Sequence, residues 1–151
     1  MLGKALPHSS PSGRRTFAEL ARAWLAATLL SGLPSTGWAL ATGGDISEAT
    51  RAAGAMLLPG ETSLAKLAGA AALVHCTVSL FWALPLWRWL PRRATLEWAL
   101  LAAVLIALLH LKLIAPAFFP QIAALDFWPQ LADHLMWGAA FGIALGWRRR
   151  L

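Results

Sequence analysis

Residues 67–87, LAGAAALVHCTVSLFWALPLW, carry no formal charge beyond whatever His75 holds. About 20 such residues make a helix long enough to cross a hydrocarbon core ~30 Å thick. Three other apolar stretches can pack around this one, so the sequence points to a small polytopic membrane protein.

Composition agrees. The chain is 58% hydrophobic and only 13% charged, against roughly 45–50% and about 25% in soluble domains. Its 151 residues allow one unit. The formal net charge of +6 would suit nucleic acid, but the basic residues sit in short clusters between apolar runs and form no basic helix face. Nucleic acid is therefore excluded as a partner, and the clusters read as topology signals. The single cysteine, Cys76, cannot form an intrachain disulfide and says nothing about redox compartment. Trp38, Trp87, Trp89, Trp98, Trp128 and Trp147 lie near the ends of apolar runs, where amphipathic rings favour the headgroup zone.

The expected organisation is all-α. Residues 1–15 form a disordered cytoplasmic tail, and residues 16–151 form a single four-transmembrane-helix bundle. Gly13-Arg14-Arg15-Thr16-Phe17 resembles the core of a twin-arginine export signal, with residues 23–33 as its apolar region and Ala39-Leu40-Ala41 as a cleavage site. The flanks Gly13 and Ala18-Glu19 depart from that pattern, and three more spans follow. A first membrane helix is the stronger reading. It covers about 17–40 and is kinked at Pro34, which lacks an N–H. Ser35-Thr36-Gly37 then help satisfy the freed backbone groups.

A connection over 42–63 follows. Asp45 and Glu48 have the spacing of a reciprocal N-cap, heading a short helix that Pro59-Gly60 stops. It is too short to span and is expected to lie in the interface. The second span covers about 64–88, and Arg88-Trp89-Leu90-Pro91-Arg92-Arg93 makes a tight basic turn. The third covers about 95–115, ending before Pro116, with Lys112 snorkelling outward. Residues 116–130 form a loop rich in proline and aromatics. The fourth span covers about 131–147 and closes on Arg148-Arg149-Arg150.

With both termini on one side, that side holds Lys4, Arg14, Arg15, Arg22, Arg88, Arg92, Arg93 and Arg148 to Arg150. The other side holds only Arg51, Lys66 and Lys112. The richer side is cytoplasmic.

Depth at 1.5 Å per residue places His75 roughly 13 Å below the outer boundary. His110, Asp133, His134, Ser35 and Thr36 also fall in the outer half. Ionisable groups inside a membrane are functional candidates by default. His75 could act as interhelical glue, with Ser79 on its own face one turn on. Its expected partners are His110 or the Asp133-His134 pair. His75, His110, Asp133 and His134 are acceptable ligands for a divalent metal such as zinc by type, though no two histidines share a helix at ligand spacing. A haem b held by His75 and His110 is a further alternative, as is proton relay or solute transport using His75 and Asp133. Four short helices make a narrow bundle for transport unless the protein forms a homo-oligomer.

Gly138, Gly142 and Gly146 put three glycines on one helix stripe and allow close backbone approach. The stripe is expected to pack the fourth span on the second, with a homodimer seam as the alternative. No phosphate loop, nucleophile elbow, HExxH or cysteine-pair motif is present, which argues against an enzyme.

An ordered set of short motifs runs through residues 25–150. It comprises Ser31-Gly32-Leu33-Pro34-Ser35-Thr36, Thr42-Gly43-Gly44-Asp45 and Ala49-Thr50-Arg51-Ala52-Ala53-Gly54. His75 with Ser79 and Trp82 follows, then Leu90-Pro91-Arg92-Arg93 and Pro129-Gln130 with Ala132-Asp133-His134 and Gly138. The set resembles a family of small uncharacterised four-helix bacterial inner-membrane proteins. The resemblance implies the fold and an inner-membrane location, with no activity to transfer. The combined expectation is a small multi-pass inner-membrane protein with lipid as its partner and a non-catalytic or accessory role. The alternative is a transporter, channel-like or metal- or haem-handling protein built on the outer polar cluster around His75.

Overall fold

Thr16 sets the start of the first helix. Its hydroxyl accepts the Glu19 N–H while the Glu19 carboxylate accepts the Thr16 N–H, a reciprocal capping box. The computed structural model describes residues 15–147. Of the expected tail over residues 1–15, all but Arg15 lies outside the described residues, as does the basic cluster after Trp147.

Helix α1 covers Phe17–Leu30 and α2 covers Leu33–Thr42. The kink expected in one span over 17–40 is instead a break at Ser31 and Gly32. Pro34 explains it, because inside a continuous helix its ring would strike the carbonyl four residues back. Near the start of a new helix, its missing donor is one of the groups left unpaired anyway. α2 stops at Gly43, which takes φ 70° in the left-handed region.

Helix α3 covers Glu48–Gly54. The reciprocal Asp45–Glu48 cap does not form. Asp45 Oδ1 accepts the Ser47 N–H (2.8 Å) and the Ser47 hydroxyl (2.6 Å), and its carboxylate pairs with Arg51. These bonds, the Ser47 hydroxyl foremost, hold the Asp45 carboxyl down at about 2. Gly54 meets the backbone of Leu67 so closely that a Cβ would overlap the Leu67 carbonyl. α3 is thereby pressed onto the first turns of the next helix.

Helix α4 covers Leu64–Trp89 and passes through Pro85 without ending. A tight turn leads to α5, Thr95–Leu108. Ala94 takes φ 55° at the start of α5, a left-handed conformation for a residue with a Cβ. Replacing Ala94 with glycine relieves that strain. Ala94→Gly is expected to raise stability by about 1 kcal/mol, read as a higher unfolding temperature in detergent. A lower one would show the turn to be unstrained.

The third long helix does not stop before Pro116. α5 continues as a π-helical segment, Leu109–Ile114, and then as α6, Ala115–Phe118. The Ala115 N–H reaches back five residues to the His110 carbonyl, so the helix widens just before a residue that has no N–H to give. Helix α7 covers Pro120–Ala123. α8 covers Phe127–Gly146 and starts earlier than the expected residue 131. All the regular structure among the described residues is helical. Two helices, α4 and the continuous Thr95–Phe118, are long and apolar enough to cross a membrane.

α8 lies between α1 and α5, and α1 also packs on α4. The start of α1 meets the ends of α4 and α8. Arg15 Nη1 donates to the Trp87 carbonyl (2.6 Å), and Arg22 donates through Nε and Nη2 to the Ala144 carbonyl (3.2 and 3.0 Å). Each guanidinium covers carbonyls that a helix end leaves unpaired, at the negative pole of its dipole. We call this end of the bundle basal and the opposite end upper. The basal half is solid, with Leu20, Ala23, Ala27, Phe141 and Leu145 buried together and Trp24, Leu86 and Trp87 packed around them.

The glycine stripe packs on α5, not on α4 as expected. A Cβ on Gly138 would sit 2.5 Å from Ala103 Cβ and 2.9 Å from the Ala99 carbonyl oxygen. One on Gly142 would sit 2.9 Å from Leu96 Cα. Gly146 departs from the expectation, because a Cβ there meets nothing within 4 Å.

The outward faces of the long helices carry bare apolar side chains. Leu29 is 74% exposed, Leu73 62%, Leu105 59% and Ile143 51%. These residues sit on four different helices, so the apolar surface girdles the bundle rather than forming one patch.

Candidate functional site: a polar-walled cavity in the upper half

α4 and α5 are joined by a tight turn yet share few contacts. Above the basal core they line, with α8 and the α1–α2 break, a half-open cavity of about 1070 Å³. α3 and residues 119–129 stand at its upper rim. His75, His110, Asp133 and His134 all line it, so one space collects the four residues singled out from the sequence.

They do not form one cluster. His75 hydrogen-bonds to neither His110 nor the Asp133-His134 pair, although it is close enough to Asp133 and His134 to interact with them electrostatically. Its Nε2 lies 3.0 Å from the Thr28 carbonyl and 3.0 Å from Ser31 Oγ, both on α1. A carbonyl only accepts, so Nε2 carries the proton. Nδ1 of His75 keeps its lone pair and has no partner among the described residues. The Ser31 hydroxyl in turn donates to the Thr28 carbonyl.

Below this, Ser79 ties three helices together. Its hydroxyl accepts the Trp137 indole N–H (2.7 Å) and pairs with Thr28 Oγ1 (2.6 Å), at 4% exposure. The Trp137 ring stacks flat on Phe141 and joins this polar point to the basal core.

A second set runs across the other wall. Trp82 Nε1–H donates to His110 Nε2 (3.0 Å), His110 Nδ1 meets His134 Nε2 (3.2 Å), and His134 Nδ1 meets the Gln130 carbonyl (2.7 Å). An indole only donates and a carbonyl only accepts, so the chain has one direction. His110 Nε2 accepts from Trp82, and His110 Nδ1–H donates to His134 Nε2. His134 Nδ1–H then donates to Gln130. Each ring holds one proton, and every nitrogen is engaged. Binding a metal or a haem iron at either ring would first break one of these bonds. Among the described residues no three His, Cys, Asp or Glu side chains are grouped to hold a metal ion.

The π-helical segment carries both His110 and Lys112. An extra residue in the turn shifts the direction in which later side chains point. Lys112 Nζ lies 4.1 Å above the Phe127 ring, a cation–π contact that links the segment to the start of α8.

Asp133 serves the broken helix. Its Oδ1 accepts the Ser35 N–H (2.9 Å), one of the donors that the first turn of α2 leaves unpaired. The carboxylate thus sits at the positive end of the α2 dipole.

Sequence reasoning missed Thr28 and Trp137, and gave no role to Ser31, Trp82 and Gln130, which it met only within the ordered motifs. One signal was available: Thr28 and Ser31 are a turn apart in an otherwise apolar stretch, just ahead of Gly32.

The proton positions are directly testable. Imidazole ¹⁵N shifts should show His110 and His134 as Nδ1–H tautomers and His75 as Nε2–H. Nδ1–H on all three rings would overturn the assignment for His75. No family model, curated protein or solved structure matches this chain.

Proposed function

We propose that this chain is a four-span inner-membrane protein that holds a small amphipathic molecule in its upper-half cavity and performs no chemistry on it. The membrane reading is supported by the apolar girdle, since soluble monomers rarely expose contiguous apolar area on this scale. It is further supported by charge. Arg15, Arg22, Arg88, Arg92 and Arg93 belong to the basal end or its turn, while Arg51, Lys66 and Lys112 belong to the upper parts. That bias supports a cytoplasmic basal end.

The cavity carries the functional reading. Its volume lies just above the usual range for small-molecule sites. Its wall is mostly apolar, with a few fixed polar groups, as such sites are. The packed basal half below it favours a one-sided chamber over a translocation path.

Native mass spectrometry of the full chain, extracted with its membrane lipids, tests the reading. A retained small molecule at one per chain is expected. It should be lost in Ala72→Trp, which fills the cavity from α4. Equal retention in both proteins would place the ligand elsewhere, and none in either would overturn a chamber. Reporter fusions after Arg92 and Leu125 test the topology, with a periplasmic signal expected only from the second.

A further inference from the structure

The cavity wall combines two properties that together select a ligand. We propose that it receives the ammonium end of a hydrophobic amine, beside Asp133 and the α1–α2 break. The inference rests on the chamber reading and adds the ligand's chemistry to it.

Charge is the first property. The chain holds 13 Lys and Arg against 7 Asp and Glu, yet no Lys or Arg lines the cavity, while Asp45, Glu48, Asp126 and Asp133 do. Arg51 neutralises Asp45 at the rim. Asp133 lies deeper, hydrogen-bonded by Ser35, with His75 as the ionisable side chain it interacts with and no Lys or Arg beside it. A carboxylate or phosphate headgroup would meet no cation in the wall. A cation would meet Asp133, and a buried charge is tolerated only when it is paired and hydrogen-bonded.

Hydrogen-bond capacity is the second and independent property. Around the break the wall has already committed its protons. The Thr36 hydroxyl donates to the Gly32 carbonyl, and the Ser35 hydroxyl is shared between that carbonyl and Asp133. His75 Nε2–H is directed to α1, leaving a bare Nδ1 lone pair. Among the described residues Asp133 accepts from Ser35 alone, through its N–H and its hydroxyl, and its two oxygens can take more. What this wall still offers is acceptors. A primary ammonium brings three donors, a hydroxyl one and a carboxylate none. Phe81 and Trp82, also in the lining, supply π faces for the cation and surface for its hydrocarbon.

The test uses three probes with one cage. Adamantan-1-amine, adamantan-1-ol and adamantane-1-carboxylate are titrated into the full chain in lipid nanodiscs, with empty nanodiscs subtracted. Saturable quenching of tryptophan emission reports on Trp82 and Trp137 in the lining. The amine is expected to bind one per chain, at least about 10-fold tighter than the alcohol, with no saturable signal from the carboxylate. Asp133→Asn should weaken the amine about 10-fold or more and leave the alcohol unchanged. Thr36→Val, at an exposed position that removes one acceptor, should weaken the amine alone by a smaller factor. If Asp133→Asn does not fold, Thr36→Val and the amine-to-alcohol ratio decide. Alcohol or carboxylate bound as tightly as the amine, and lost in Ala72→Trp, would overturn the amine and keep the chamber. No saturable binding of the amine would overturn the ligand class, with the retained-mass experiment still deciding the chamber.

Discussion

Gly138→Leu is expected to abolish the folded state in detergent, and Gly142→Leu to come close to doing so. A Cβ alone at Gly138 falls 2.5 Å from Ala103 Cβ and 2.9 Å from the Ala99 carbonyl, so the conflict is partly with backbone. At Gly142 the nearest atom is Leu96 Cα, also backbone, at 2.9 Å. Neither can move without displacing α5. Overpacking in a close-packed interior costs about 1–3 kcal/mol even where side chains can shift, and here they are not the main obstacle. Gly146→Leu is the control. It lies on the same stripe but meets nothing within 4 Å, so its unfolding temperature should match the parent. Equal losses at all three glycines would mean that α8 turns a different face to α5. No loss at Gly138 would mean that the two helices do not approach there.

Ser79→Ala is expected to produce the second-largest loss. The serine hydroxyl is the partner of both the Trp137 indole N–H and Thr28 Oγ1 in a nearly closed site. Removing it orphans two polar groups on two other helices. Each unsatisfied group costs about 1–3 kcal/mol, so a loss of about 2–6 kcal/mol should follow. The double variant Ser79→Ala with Trp137→Phe separates this cause from simple cavity formation. Phenylalanine keeps much of the ring that stacks on Phe141 and removes the stranded donor. The double variant should therefore be less damaged than the sum of the two single changes. Strict additivity would show that the bond contributes nothing beyond packing.

Both predictions concern α8, which packs on α5 where the sequence points to α4. Three glycines at four-residue spacing do predict a stripe that lets another backbone approach. They do not name the helix that approaches, because close approach needs only a complementary small surface. Ala70, Ala71 and Ala72 on α4 and Ala99 and Ala103 on α5 offer that surface about equally. Chain order and the α1–α2 break seat α8 between α1 and α5, so the stripe meets Ala99 and Ala103. Gly146 lies beyond the contact.

The same division holds for His75. Its place among polar residues of the upper half follows from sequence spacing and helical rise, and it does line the cavity there. Its partner depends on rotation about the helix axis, which spacing alone does not set. That rotation turns its Nε2 toward Thr28 and Ser31, while the widened turn at residues 109–114 and the earlier start of α8 bring His110 to His134.

Local signals in the sequence were enough for the all-helical class, the basic turn between α4 and α5, and the disturbance at Pro34. Each depends on neighbours within a few residues: apolar runs, a missing N–H, a cluster of arginines. Which helices touch, which carbonyls Arg15 and Arg22 cover, and the direction of the Trp82–His110–His134 chain were decided only by the tertiary structure. Those depend on groups far apart in sequence whose geometry is fixed when the whole bundle packs.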